Sequence, residues 1–278
     1  VSDVNETPSA VALSASPMAE NAAGATIGTL SATDPDSGET FTYSISGTDK
    51  DSFELSGTTL KLKDTVSANF EADASYSITL TATDSSSNTV SKDYTIMVTD
   101  VNETPSALAL SASTFAENAA GATVGTLSAT DPDSGETFTY SISGTDKESF
   151  ELSGTTLKLK DSVSADFETD ASYSITLTAN DSSDNTVSKD YTITVTDVND
   201  APSITSSSTS SVSENTSAVI TLTGTDPDSD TLVYSISGGD DASLFTINSA
   251  SGALSFSTAP DYETPTDSDK NNIYSIQV

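Results

Sequence analysis

The sequence predicts an all-β chain of tandem seven-stranded Greek-key β-sandwiches placed end to end, and three observations carry that expectation. The chain repeats: DVNETPSA occurs at Asp3–Ala10 and again at Asp100–Ala107, and DVNDAPS opens at Asp197, giving a period of 97 residues twice over. Apolar residues alternate with polar ones at a period of two. No segment sustains the helical period of 3.6. Short alternating strands separated by Gly, Ser, Asp and Pro, at a fixed domain-sized period, point to an antiparallel sandwich.

The strands of the first repeat follow in order. Val11–Leu13 and Ile27–Ala32 flank an Ala- and Gly-rich stretch. Phe41, Tyr43 and Ile45 alternate with Thr42 and Ser44, and Phe53 and Leu55 enclose Glu54. Leu60 and Leu62 alternate with Lys61 and Lys63, which places the lysines toward water. Tyr76, Ile78, Leu80 and Ala82 form the longest alternation, and Tyr94, Ile96 and Val98 close the repeat. Aligning 3–99 with 100–196 leaves 11 differences in 97 positions. One of them, Met97 against Thr194, suits an outward position. The expected units are 1–99 with its DVNE linker, 100–196, and 197–278. In the third, Tyr274, Ile276 and Val278 match the start of the Tyr76 strand, so this copy reads as cut short before its last strand, with an open core. The N-terminal VSDVNETPSA has no secretory-signal pattern, and the chain reads as a piece of something longer.

Composition removes many functions. Among 278 residues there are 42 acids and nine cations, all lysine, for a formal charge of −33. Cys, His, Trp and Arg are absent, which excludes disulfide and zinc frameworks and Ser-His-Asp or Cys-His catalysis. Such a negative surface repels nucleic acid, and no apolar run approaches membrane-spanning length, so neither nucleic-acid binding nor direct membrane insertion is expected. The charge is spread evenly: 14 acids and 4 lysines in 1–99, 16 and 4 in 100–196, 12 and 1 in 197–278. A uniform acidic load on a patterned chain describes a folded protein that meets cations.

The third copy has diverged most, and what it keeps is a set of acidic segments. These are Glu20, Glu117 and Glu214 in ENx; Asp34/Asp36, Asp131/Asp133 and Asp226/Asp228 in DPD; and Asn69-Phe70-Glu71, Asp166-Phe167-Glu168 and Asp261-Tyr262-Glu263. An Ala-x-Asp follows at Ala82–Asp84 and Ala179–Asp181, and the DVNE or DVND linker closes each repeat. Phe245, Ile247, Gly252 and Leu254 fit an FxIxxxxGxL stretch. On these motifs the repeats resemble cadherin domains, including the cadherin-like repeats of large bacterial surface and adhesin proteins. The resemblance covers the whole chain.

That resemblance implies calcium between successive repeats, about three ions at each complete junction. Matched motif by motif, the first junction takes Glu20, Asn69 and Glu71, the linker residues Asp100, Asn102 and Glu103, and Asp131, Asp133 and Asp181. The second takes Glu117, Asp166, Glu168, Asp197, Asn199, Asp200, Asp226 and Asp228, and lacks an Ala-x-Asp partner within the 278 residues. Asp3, Asn5, Glu6, Asp34, Asp36 and Asp84 form half a junction at the start, and Glu214, Asp261 and Glu263 another half at the end.

Elementary chemistry agrees with this ligand set. Calcium takes six to eight oxygen ligands in flexible geometry, which suits donors gathered from distant segments. Seven carboxylates at the first junction repel one another strongly; three divalent ions would leave a net charge of about −1, one ion about −5. Charge balance therefore favours several ions. Asn69 in place of an acid and Glu103 in place of Asp depart from the family pattern and weaken one ion of that junction. An EF-hand reading of DPDSGE fails, because position 12 of the loop would be Ile45.

The expected function is a calcium-rigidified extracellular stalk or adhesion segment of a larger cell-surface protein. Its partners would be the neighbouring repeats of the same chain. The alternative is an adhesive module that binds a cell-surface polysaccharide or another copy of itself. Catalysis is not expected: the paired carboxylates sit in metal motifs and no second catalytic residue type accompanies them.

Overall fold

A computed structural model describes residues 4–15 and 17–278; Asp3, expected in the first half-junction, lies outside the described residues. The elements are β-strands, with three single 3₁₀ turns at Lys50–Ser52, Lys147–Ser149 and Ala242–Leu244.

The first repeat holds β1 (Ala10–Leu13), β2 (Met18–Ala19), β3 (Thr26–Thr33), β4 (Thr42–Ser46), β5 (Phe53–Ser56), β6 (Thr59–Leu62), β7 (Ser75–Thr83) and β8 (Thr89–Thr99). They form two four-stranded sheets in the orders β1-β3-β6-β5 and β2-β8-β7-β4. The seven expected strands are all present. The eighth piece arises because the first strand changes sheets: β1 runs antiparallel to β3, whereas β2 runs parallel to β8, Met18 opposite Val98. Apolar alternation sends Leu60, Leu62, Leu80 and Ala82 fully inward, joined by Val11, Ile27, Leu30, Phe53, Ile78, Ile96 and Val98. Phe53 meets Tyr76 edge-to-face at 5.5 Å between ring centres, a favoured aromatic geometry. Met97 is 52% exposed, as its position in the alternation requires. Gly28 sits at a register irregularity between β3 and β6, where a Cβ would come within 2.2 Å of the Ser14 carbonyl oxygen.

The second repeat copies this plan with β9 (Ala107–Leu110), β10 (Thr114–Ala116), β11 (Thr123–Thr130), β12 (Thr139–Ser143), β13 (Phe150–Ser153), β14 (Thr156–Leu159), β15 (Ser172–Asn180) and β16 (Thr186–Thr196). The sheet orders are β13-β14-β11-β9 and β10-β16-β15-β12. Leu157, Leu159, Leu177 and Ile193 are fully buried.

The third repeat is sparser: β17 (Ser203–Ile204), β18 (Ala218–Thr221), β19 (Gly224–Thr225), β20 (Phe245–Ile247) and β21 (Ala253–Phe256). β17 pairs with β19, and β18-β21-β20 form a three-stranded sheet. Its core is small, with Phe245 and Phe256 at 4.4 Å between ring centres and Tyr274 edge-on to Phe256 at 4.9 Å. Residues 233–237, the counterpart of β4, form no strand. β4 pairs with Thr79–Thr83, and among their counterparts the sequence supplies only Gln277 and Val278; an isolated bridge from Gly238 to Gln277 results.

The chain divides into two compact units. One holds the chain up to Ser111 with Thr126–Ser143 and Thr176–Asp190; the other holds Ala112–Gly125, Gly144–Ile175 and Tyr191–Val278. All residues expected at the first junction fall in one unit, and all those of the second junction fall in the other.

Candidate metal centre

The two junction centres each begin with a glutamate at the end of a short edge strand. β2 stops at Ala19, and the Glu20 N–H still donates to the Thr99 carbonyl at 3.2 Å, which fixes the residue against the end of β8. The next residue, Asn21, turns the chain with φ of +61°, and Asn118 and Asn215 do the same at +63° and +60°. Asparagine is among the few non-glycine residues that adopt this conformation readily, which explains why the motif is EN in every copy. Glu20 is 3% exposed. Its Oε2 accepts the Phe70 N–H and its Oε1 the Val101 N–H, both at 2.8 Å. One carboxylate thus ties together segments 50 and 81 residues away. Glu117 repeats the arrangement with Phe167 at 2.6 Å and Val198 at 2.8 Å. Charged acceptors make such bonds stronger than neutral ones.

Further acids converge on this anchor. Carboxylate oxygens of Glu20, Glu71 and Asp100 lie within 4.8 Å of one another, as do those of Glu71, Glu103 and Asp133. Three buried oxygens here have no hydrogen-bond partner: Glu103 Oε2, Asp131 Oδ2 and Asp133 Oδ1. Desolvation raises the pKa of Asp100, and Asp133 and Glu20 push it further. Desolvation also raises Glu103 and Asp131, with neighbouring acids adding to it and hydrogen bonds from Asn21 and the Asp133 N–H opposing it. Glu71 is raised as well: its own N–H works against the shift, and burial with Glu20, Asp133 and Asp100 prevails. The folded chain therefore holds negative charge in a place that lacks a positive counterpart.

The linker is fixed from the other side by the DPD and Ala-x-Asp acids. Asp133 Oδ2 accepts the Glu103 N–H at 2.8 Å, while Asp131 Oδ1 accepts the Asp133 N–H at 3.1 Å. Asn102 Nδ2 donates to Asp181 Oδ2 at 2.8 Å. Asp181 is 4% exposed and also accepts the N–H groups of Ser183 and Asn185 and the Asn185 side chain. Burial opposes its ionisation, but these donors win and its pKa is lowered. Asp181 is thus satisfied by protein donors, in contrast to the acids around Asp100. Asn69 lies at the exposed rim, its Oδ1 accepting the Ala72 N–H at 2.6 Å.

At the second junction Glu117, Glu168 and Asp197 bring oxygens within 4.8 Å of one another. Burial and then Asp228 raise the Asp197 pKa. Asp200 donates its N–H to Asp228 Oδ2, and Asn199 Nδ2 donates to the Asp200 carbonyl at 2.8 Å. Asp166 Oδ1 caps the Thr169 N–H at 2.9 Å, and half-buried Asp226 accepts the Asp230 N–H at 3.3 Å. The half-junctions carry the same local devices. Asp36 Oδ2 accepts the Glu6 N–H at 2.7 Å, Asn5 Nδ2 donates to Asp84 Oδ2 at 2.8 Å, and Asp34 Oδ1 accepts the Asp36 N–H at 2.9 Å. Glu214, Asp261 and Glu263 also place oxygens within 4.8 Å, all three residues exposed.

A hard cation fits these donors: they are all oxygen, several are buried without partners, and their charge is uncompensated. Two further contributors escaped the motif reading. Asn21 Nδ2 donates to Glu103 Oε1, and Asn118 Nδ2 to Asp200 Oδ1, so the turn asparagine steers the linker acid. The EN dipeptide in all three copies is the signal that could have found them. Asp241 and Asp267 in the third repeat, each 3% exposed, also lie outside the expected set.

The family model for the cadherin domain matches residues 15–99 and 111–196. A protocadherin γB4 extracellular domain is similar at 27% identity and a TM-score of 0.66, over 95% of this chain and 46% of that one. A protocadherin γB7 EC3-6 structure, described as a cis-dimer, matches at 25% identity and 0.62, over 93% of this chain and 67% of that one. Mouse cadherin-23 EC22-24 shares the fold at 23% identity and 0.64, over 89% and 86%. The chain thus spans just under half of the protocadherin γB4 structure. Among curated proteins, none matches it.

Proposed function

This chain belongs to the cadherin family, and from that premise we propose that it is a calcium-stiffened extracellular segment of a longer protein, divided into repeats 1–99, 100–196 and 197–278. Domains of this family are calcium-binding extracellular adhesion modules, and the family is not one of enzymes. No helix among the described residues is long and apolar enough to cross a membrane. The single observation that supports the reading best is the set of orphaned buried oxygens on Glu103, Asp131 and Asp133, beside acids whose ionisation the fold opposes.

The proposed ligands are those named for each junction above. Glu20 and Glu71 belong to the preceding repeat, Asp100, Asn102 and Glu103 to the linker, and Asp131 and Asp133 to the following one; Asp181, also of the following repeat, would exchange one of its protein donors for an ion. Calcium held by all three restricts motion between repeats, because each ion ties the linker to both sides. About three ions per complete junction balance the charge. Calorimetric titration of the chain with calcium tests this reading. Extracellular sites typically bind in about the 10⁻⁴–10⁻³ M range, and more than one ion per junction is expected. Asp100→Ala should remove part of the heat and the stoichiometry at the first junction. A flat titration up to millimolar calcium overturns the reading.

Self-association is a second reading, favoured by the similar protocadherin γB7 structure being a cis-dimer. Sedimentation velocity with and without calcium tests it, a calcium-dependent dimer being the supporting result. A binding screen against polysaccharides tests the remaining adhesive alternative.

A further inference from the structure

The third repeat has ten residues between Glu263 and Tyr274 where the first has four between Glu71 and Tyr76. The extra chain places Asp267, Asp269 and Asn271 at alternate positions, followed by Asn272 with φ of +65°. Asp267 is 3% exposed, and its Oδ1 is buried with no hydrogen-bond partner. Its Oδ2 accepts the Asn271 N–H at 2.7 Å. Asp269 Oδ2 accepts Asn271 Nδ2 at 2.6 Å. No ion pair among the described residues reaches either aspartate. The loop is clamped onto the repeat: the Ser268 and Ser275 N–H groups donate to the two oxygens of buried Asp241, each at 2.8 Å. Asn272 Nδ2 also donates to the Tyr262 carbonyl at 3.1 Å.

We propose that this loop is an additional calcium site, held within the third repeat and separate from both junctions, with Asp267, Asp269 and Asn271 as its side-chain ligands. Alternating Asp, Asp and Asn followed by a residue with positive φ is the arrangement by which calcium loops wrap oxygens around one ion. Asn272 fills the conformation that glycine takes in EF-hand loops. Position 12 of such a loop is Val278, so the bidentate glutamate is absent. Main-chain carbonyls and water must complete the shell, and the site is accordingly weaker than an EF-hand. The orphaned Asp267 oxygen beside a second carboxylate marks where the ion is needed.

Backbone amide NMR of the full chain during a calcium titration tests the site by location. The amides of Asp267–Ile273 should shift, and Asp269→Asn, at an exposed residue, should move their midpoint to about tenfold higher calcium or more. Asp267→Asn should do the same where the fold persists. The Val101 and Val198 amides report the junctions separately, so a junction response without a loop response overturns this site and leaves the junction reading intact. A loop response that Asp269→Asn leaves unchanged also overturns it.

Discussion

Glu20 offers a perturbation whose consequence can be worked out atom by atom. In Glu20→Gln the amide keeps one acceptor oxygen and presents an NH₂ group where the other oxygen stood. One of the two N–H groups, Phe70 or Val101, then loses its charged acceptor. A hydrogen bond to a charged group contributes about 1.5–3 kcal/mol, so the exchange protection of that amide should fall by about 10-fold to about 100-fold. The same change removes one negative charge from acids that feel Glu20, namely Glu71, Asp100 and Glu103. In the absence of calcium that relief offsets part of the loss, and global stability should change less than the local protection does. Amide exchange of the full chain in chelator, read by NMR, separates the two effects. Glu117→Gln should act on Phe167 and Val198 alone. If Phe70 and Val101 both keep wild-type protection in Glu20→Gln, the carboxylate does not anchor the linker and the reasoning fails.

Other expectations follow from the same structure. Asp100, Glu103 and Asp131 have raised pKa values, so their ionisation opposes folding; without calcium, the first junction should become better protected as pH falls from neutral toward about 4, measured by exchange corrected for intrinsic rate. Below that window the gain should reverse, because Asp181 has a lowered pKa and loses its stabilising ionisation as pH drops further. Gly28→Ala should destabilise the first repeat by about 1–3 kcal/mol or more in thermal melts, since backbone must move to relieve a 2.2 Å contact. Limited proteolysis in calcium should cut first within residues 201–278, where the sheets have only two and three strands and the core is smallest. Preferential cutting inside the first repeat would contradict that ranking.

The fold was legible because alternation and burial share a period. Leu60, Leu62, Leu80 and Ala82 stand out in the sequence, and all four have no exposure. The change of sheet between β1 and β2 was not legible, because a parallel two-residue pairing such as Met18 with Val98 leaves no periodic trace. Acid identities could be read from what the third copy retained. Their roles could not: Asp181 accepts from the Asn102 and Asn185 side chains and from two backbone N–H groups, while Asp131 keeps an orphaned oxygen, a difference set by which donors the fold brings to each carboxylate. The Asp267 loop was visible as letters. Comparison between copies favours what they share, and this loop exists only in the third.

The central claim is that calcium at the junctions restricts the motion of one repeat against the next. Small-angle X-ray scattering of the full chain, in chelator and then in millimolar calcium, tests it most directly, with Asp100→Ala alongside. The account expects the spread of maximum dimensions to narrow on adding calcium, and to narrow less in Asp100→Ala. Scattering profiles that coincide with and without calcium, under conditions where calorimetry shows the ion bound, would contradict it.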